Sequence, residues 1–282
     1  MFRIKNKAEK YKDELKNRSK TGIKNHRGFG FVLGAVAVII GLIFIYIFSN
    51  NEDRRDCEII LSMVEESLEK SKNPETFEVC KRSAEQGFAK AQYNFGWMYY
   101  KGLEVEQNYK EAFGWFQRSA EQGDAQALCI LGVMHGKGLG VEQNYEEAFK
   151  CFKELAKEGD KVAQCVLGLM YHNGLGVEQN YEKALDWYRK SARQGFAQAQ
   201  YSLGLMYCKG KGVKQNYEKA LDWYRKSAKQ GDTQAQYSLG LMYCKGEGIK
   251  QDYKEAINWY KKSAEQGHPG AKTALTKILE SK

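Results

Sequence analysis

The sequence predicts an all-α protein: a right-handed α/α solenoid of five 36-residue helix hairpins with degenerate caps, preceded by one transmembrane helix. Three observations carry that prediction. The segment "LDWYRKSARQGFAQAQYSLGLMYCKG", starting at Leu185, returns 36 residues later at Leu221 with three differences. A period in the 30s marks a stacked repeat architecture. Within each copy apolar residues recur at helical spacing, no segment alternates like a half-buried strand, and only two prolines interrupt 282 residues. Finally, residues 29–48, "FGFVLGAVAVIIGLIFIYIF", run without a charge.

Residues 1–28 form a basic arm with ten Lys or Arg against three acids, so +7 of the chain's +9 lies there and +2 remains for the rest. A solenoid so nearly neutral lacks the electrostatic footprint of a nucleic-acid binder, and no nucleic-acid partner is expected. A stripe of Ile4, Ala8, Tyr11 and Leu15 suits anionic headgroups. The simpler role for the arm's charge is to set topology. Residues 29–48 suffice to cross a hydrocarbon core of about 30 Å as a helix. The run ends in bulky residues rather than a cleavable small-residue site, so it reads as an uncleaved anchor.

Residues 9–28 hold seven Lys or Arg and residues 49–68 hold two, Arg54 and Arg55. The positive-inside rule then places the N-terminus in the cytoplasm and the solenoid in the periplasm, on a bacterial inner membrane. Seven cysteines argue the other way, because thiols in an oxidising compartment ordinarily pair. Gly30, Gly34, Ala37 and Gly41 make a small-residue stripe of the kind that lets membrane helices dimerise, which points to a homodimer through the anchor.

Residues 49–87 hold a linker and an N-terminal capping hairpin. "CEIILSMVEESLEK" is its degenerate first helix. "NPETFEVCKRSAEQG" is its second, opened by Asn73 with Pro74 in the first turn. Five full copies follow over 88–267. In the copy 196–231, Ala199, Leu203 and Met206 share one helical face. A glycine inside a helix costs about 1 kcal/mol against alanine. Gly204 and its equivalents Gly96, Gly132, Gly168 and Gly240 therefore predict a close helix approach. The loop "KGKGVKQN" breaks the pattern, and Asn216 caps a second helix carrying Tyr217, Ala220, Leu221, Tyr224 and Ala228. That helix stops at Gly231. Residues 268–282 are a lone C-terminal capping helix with Thr276 in the glycine column.

The recurring pattern, A-x-x-x-L-G-x-M-Y-x-x-G-x-G-V-x-Q-N-Y-x-x-A-x-x-W-Y-x-x-S-A-x-x-G, resembles the Sel-1-like repeat family, relatives of the tetratricopeptide repeat with a longer loop between helices. The resemblance covers most of the chain in register. It implies an α-solenoid adaptor that holds other proteins and implies no reaction. Two positions depart from the pattern: Glu104 replaces a loop glycine, and Cys151 replaces the tryptophan present as Trp115, Trp187, Trp223 and Trp259.

No catalytic set emerges, and the chain is not expected to be an enzyme. Ser67-x-x-Lys70 and Lys20-Thr21-Gly22 match β-lactam-enzyme motifs by letter but flank the membrane segment and cannot form one site. His172, Cys208 and Cys244 share a column. Stacked helices 8–10 Å apart are too distant to share a zinc, so no metal or other cofactor is expected. The glycine runs follow helices rather than strands and are loops, not nucleotide cradles. His26 and His268 lie near chain or domain ends without a partner.

What remains is surface. By analogy with tetratricopeptide stacks, the first helices line a concave face, and the columns that vary between copies are free to be specific. In the first copy Tyr93, Asn94, Trp97, Tyr100 and Lys101 place three aromatics and a donor on one face, a composition favoured in interaction hot spots. A membrane-anchored scaffold binding an unidentified protein or peptide is the leading expectation. An envelope enzyme acting on β-lactams or cell-wall material and a host-interaction factor are the alternatives. Cys151 and Cys165 flank the turn at Gly159 on antiparallel helices with a two-residue offset, about 3 Å along the axis, which allows a disulfide.

Overall fold

The computed structural model describes residues 74–280, all of them in helices and the turns between them. The anchor at 29–48, its glycine stripe, the basic arm and the first capping helix with Ile60 lie outside the described residues. Among the described residues no helix is long and apolar enough to cross a membrane.

Twelve helices follow one another. The capping helix α1 (Pro74–Glu85) is followed by five hairpins: α2 (Ala89–Lys101) with α3 (Tyr109–Glu121), α4 (Ala125–Lys137) with α5 (Tyr145–Lys157), α6 (Lys161–Asn173) with α7 (Tyr181–Arg193), α8 (Ala197–Lys209) with α9 (Tyr217–Lys229), and α10 (Thr233–Lys245) with α11 (Tyr253–Glu265). Helix α12 (Pro269–Glu280) closes the stack. Each helix packs mainly on its neighbours in the chain, within a hairpin and from one hairpin to the next.

Sequence sets the two helix ends that meet at the loop of every hairpin. Asn108, Asn144, Asn180, Asn216 and Asp252 sit in extended backbone, and their side chains accept from the first free N–H groups of the second helices. First helices end at Gly102, Gly138, Gly174, Gly210 and Gly246, each left-handed, with the Gly102 N–H returning to the Met98 carbonyl. The loop between the helices is stapled from within: Gln107 Nε2 donates to the Tyr100 carbonyl at 2.8 Å, and Gln143, Gln179, Gln215 and Gln251 repeat the bond.

The glycine column is the closest point of each hairpin. A Cβ built on Gly168 would lie 2.6 Å from Cδ1 of Tyr188, and the other four glycines would meet Phe116, Phe152, Tyr224 and Tyr260 at 2.5–2.9 Å. The predicted close approach is present, and its object is an aromatic ring of the hairpin's own second helix. These rings are almost wholly buried, Tyr188 being 2% exposed.

The second loop glycine serves contact between repeats. A Cβ at Gly212 would stand 2.6 Å from the Tyr181 carbonyl carbon of the preceding second helix. Glu104, at the equivalent place in the first repeat, holds the same left-handed backbone with φ 59°. For a residue with a side chain that backbone costs of order 1 kcal/mol or more.

A polar ladder runs beside the apolar one. Gln122 donates to the Gln92 side chain at 2.7 Å, and Gln92 donates to the Ala84 carbonyl of the preceding helix. Gln194–Gln164–Ala156, Gln230–Gln200–Ala192 and Gln266–Gln236–Ala228 repeat this chain. Ser119, Ser191, Ser227 and Ser263 each donate to the first carbonyl of the hairpin's first helix. The second repeat is the exception. Leu128, Leu155 and Glu158 occupy these columns, and the buried Leu155 exchanges a bond for apolar contact.

Candidate interaction surface

The first repeat gathers the densest aromatic cluster of the described residues. Trp97 stands edge-on to Tyr100 at 5.0 Å and to Phe116 at 5.9 Å, and Tyr100 stands edge-on to Tyr109 at 5.2 Å. Asn94 is exposed, while Trp97, Tyr100 and Lys101 are half-buried. Burial first, then the neighbouring Tyr109, pushes the Tyr100 hydroxyl up to about 12, so it stays a neutral donor.

Tyr93 departs from the expectation. It is 4% exposed, with its ring 5.8 Å from Phe116 and the Lys90 ammonium 4.2 Å from its centroid. The reason is helical phase: Tyr93 lies three residues before Gly96 and therefore points at the same aromatic ring. Its hydroxyl has no hydrogen-bond partner among the described residues, and burial pushes it well above the usual tyrosine range, with the nearby Trp97 side chain a smaller opposing influence. Tyr93 supports the surface from beneath.

Farther along the stack the same columns change character. Ile130, Val133 and Val166 are buried, whereas Ser202, Ser238, Leu205 and Leu241 are half-exposed. His172 stands edge-on to Tyr181 at 5.1 Å, and the Lys211 ammonium lies 3.5 Å from its Nε2. Burial, then Lys211 and Lys209, holds the His172 imidazole below its usual range. Among the described residues no group of three or more His, Cys, Asp or Glu could hold a metal ion.

The cysteine pair is not bonded: Cys151 and Cys165 are free thiols. Cys151 turns back toward α4, where its Cβ lies 3.2 Å from the place a Gly132 Cβ would take. Cys165 turns forward into the core with Leu185 and Tyr188. The two-residue axial offset is compatible with a bond, but the side chains leave their helices in opposite directions. Burial pushes the Cys151 thiol up to about 11 and raises that of Cys165 further. Thiols so shifted are poor nucleophiles.

His268, which the sequence leaves without a partner, has three. It is buried and stacks on Tyr237 at 4.3 Å. Its Nδ1 accepts from the Ala271 N–H at 3.1 Å, capping α12, and its Nε2 lies 3.2 Å from the Gln234 amide oxygen.

These hairpins, linked end to end through loop glycines and glutamines, make the protein an α-solenoid of two-helix repeats. The Sel1 repeat model matches residues 89–124, 125–160, 161–196, 197–232 and 233–268, each one residue later than the periods read from the sequence. The chain belongs to the Sel1 repeat family. A crystal structure of a Sel1 repeat protein from Oxalobacter formigenes is 34% identical, with a TM-score of 0.65, over 74% of this chain and 91% of that one. The structure of c5321, a protective antigen present in uropathogenic Escherichia coli strains and displaying an SLR fold, is 35% identical with a TM-score of 0.53. It is matched over 73% of this chain and 52% of its own. No curated protein matches the chain. Sel1 repeat proteins are generally scaffolds for protein–protein interaction.

Proposed function

We propose that the chain is a membrane-anchored scaffold that holds a protein or peptide partner on its first-helix face, the concave side of such a stack. The carrying observation is the first-repeat cluster, in which Trp97 and Tyr100 are fixed by edge-on neighbours yet remain partly open beside the exposed Asn94. Rigid aromatics lose little freedom on binding and dominate interface energetics. The apolar run at 29–48 supports a single span. The lysine asymmetry around it supports a cytoplasmic N-terminus and a periplasmic solenoid.

The test is affinity capture with the full chain in detergent, read by quantitative mass spectrometry against the Trp97→Ala/Tyr100→Ala variant. Loss of hot-spot aromatics typically costs 2 kcal/mol or more, a drop of about 30-fold. A partner retained equally by both proteins would rule out this surface. A reporter fused after Lys282 that is active only in the periplasm checks the topology, and Gly34→Ile checks dimerisation through the anchor.

A further inference from the structure

The second helices carry a charge division that the partner-binding face does not use. Consider the five-residue window before each second helix ends. In α3 and α5 (117–121 and 153–157) it contains three basic and two acidic residues; in α7, α9 and α11 (189–193, 225–229 and 261–265) it contains eight basic and one acidic. Helix C-termini favour cations through the macrodipole. All five helices share that feature, and only three are loaded, so the dipole does not account for the difference.

The loaded windows are also ordered. The Lys190, Lys226 and Lys262 ammonium groups lie 4.0, 4.2 and 4.2 Å from the ring centroids of Trp187, Trp223 and Trp259. The lysines are exposed and the indoles half-buried. Arg189 and Arg225 donate at 3.0 Å to the Tyr207 and Tyr243 hydroxyls of the next first helices, fixing the spacing between repeats. The first repeat keeps one such pair, with the Arg118 guanidinium 4.4 Å from the Trp115 ring centroid, and the second repeat has Cys151 in place of the indole and Glu154 in place of the cation.

We propose that the ends of α7, α9 and α11 form a face that lies against an anionic lipid surface. Rows of Lys and Arg are drawn to anionic headgroups, and an indole with an apolar body and a polar edge suits the headgroup level. The indole column belongs to the repeat pattern; a headgroup layer accommodates it together with the ammonium groups, whereas an acidic protein answers only the charge. The inference rests on the membrane-anchored reading, because the anchor would keep the chain at a bilayer.

The experiment uses the full chain in nanodiscs of phosphatidylcholine with or without phosphatidylglycerol, each with a nitroxide-labelled headgroup lipid that quenches nearby indoles. Each basic group at an anionic surface is worth about fivefold in binding. Quenching is therefore expected only with phosphatidylglycerol, and should fall at least tenfold in Lys190→Glu/Lys226→Glu/Lys262→Glu and in about 0.5 M salt. Circular dichroism of the variant checks its fold, and Lys→Gln at the same three positions should give an intermediate loss. Equal quenching in both lipids, or quenching unmoved by the triple variant, overturns the proposal. A chain that does not enter discs sinks the anchor reading instead. Flotation of that chain with phosphatidylglycerol vesicles, wild type against triple variant, then decides the face by the same criterion.

Discussion

Gly168 and Gly114 both occupy helices, and the structure predicts opposite outcomes when each becomes alanine. At Gly114 an added Cβ meets nothing within 4 Å. Gly114→Ala should therefore gain the helix propensity difference, about 1 kcal/mol. At Gly168 the same gain competes with a collision. The Cβ would lie 2.6 Å from Tyr188 Cδ1, while ordinary contact begins at 3.4 Å, so the ring must retreat by 0.8 Å. Tyr188 is 2% exposed and lies in a buried cluster with Cys165, Leu185 and Leu203. Overpacking of this kind costs about 1–3 kcal/mol, leaving Gly168→Ala neutral to about 2 kcal/mol less stable. The two variants should thus differ by about 1–3 kcal/mol, read from urea midpoints by circular dichroism. Hydrogen exchange should place the Gly168→Ala loss in α6 and α7, because a stacked repeat loosens locally. Tyr188→Leu in the Gly168→Ala background should recover part of it, a coupling that a double-mutant cycle detects. Equal stabilisation by both alanines would show that the ring contact does not enforce the glycine column.

The remaining predictions concern the polar ladder, the histidines and the thiols. Gln200→Ala removes the side-chain bond to the Ala192 carbonyl, which keeps the Gly195 N–H, and the acceptor of the Gln230 amide, and should cost about 0.5–1.5 kcal/mol; an unchanged urea midpoint would contradict the ladder's role. His135 and His172 are held below the usual histidine range, chiefly by burial. The folded state therefore favours their neutral forms. Their stability contribution is complete above the unfolded value, about 6.5, and is lost as pH falls through their lower folded values. Melting should weaken between about pH 7 and 5, and His135→Tyr/His172→Cys, using residues found elsewhere in those columns, should flatten the curve. Cys151 and Cys165 should map as free thiols in non-reduced peptides and alkylate slowly at neutral pH; a Cys151–Cys165 linkage would overturn the side-chain directions described above.

How far the sequence reads correctly depends on whether a property is axial or azimuthal. Period, helix ends and the glycine column are axial, and a chain that repeats five times displays them by comparison with itself. The ring opposite each glycine is not visible in one copy. It is implied by the coincidence of Gly96, Gly132, Gly168, Gly204 and Gly240 with Phe116, Phe152, Tyr188, Tyr224 and Tyr260 exactly one hairpin-width away. Tyr93 was misplaced for an azimuthal reason, since three residues before a buried glycine is the buried side of the helix. The cysteine pair fails on the same ground, because an antiparallel offset fixes height and not direction. The glutamine ladder is absent from the sequence reading above although it is legible. Leu128 and Glu158 replace Gln in one and the same repeat, and two donors lost together are partners. His268 was not, because its role depends on the seat of a terminal helix that has no second copy to compare. For the candidate surface this distinction sets the limit. Repetition exposes which columns hold the stack, and the first repeat's Trp97 and Tyr100 stand out because those columns hold smaller residues elsewhere; what fills the space above them is decided by a partner's shape, which no internal comparison contains.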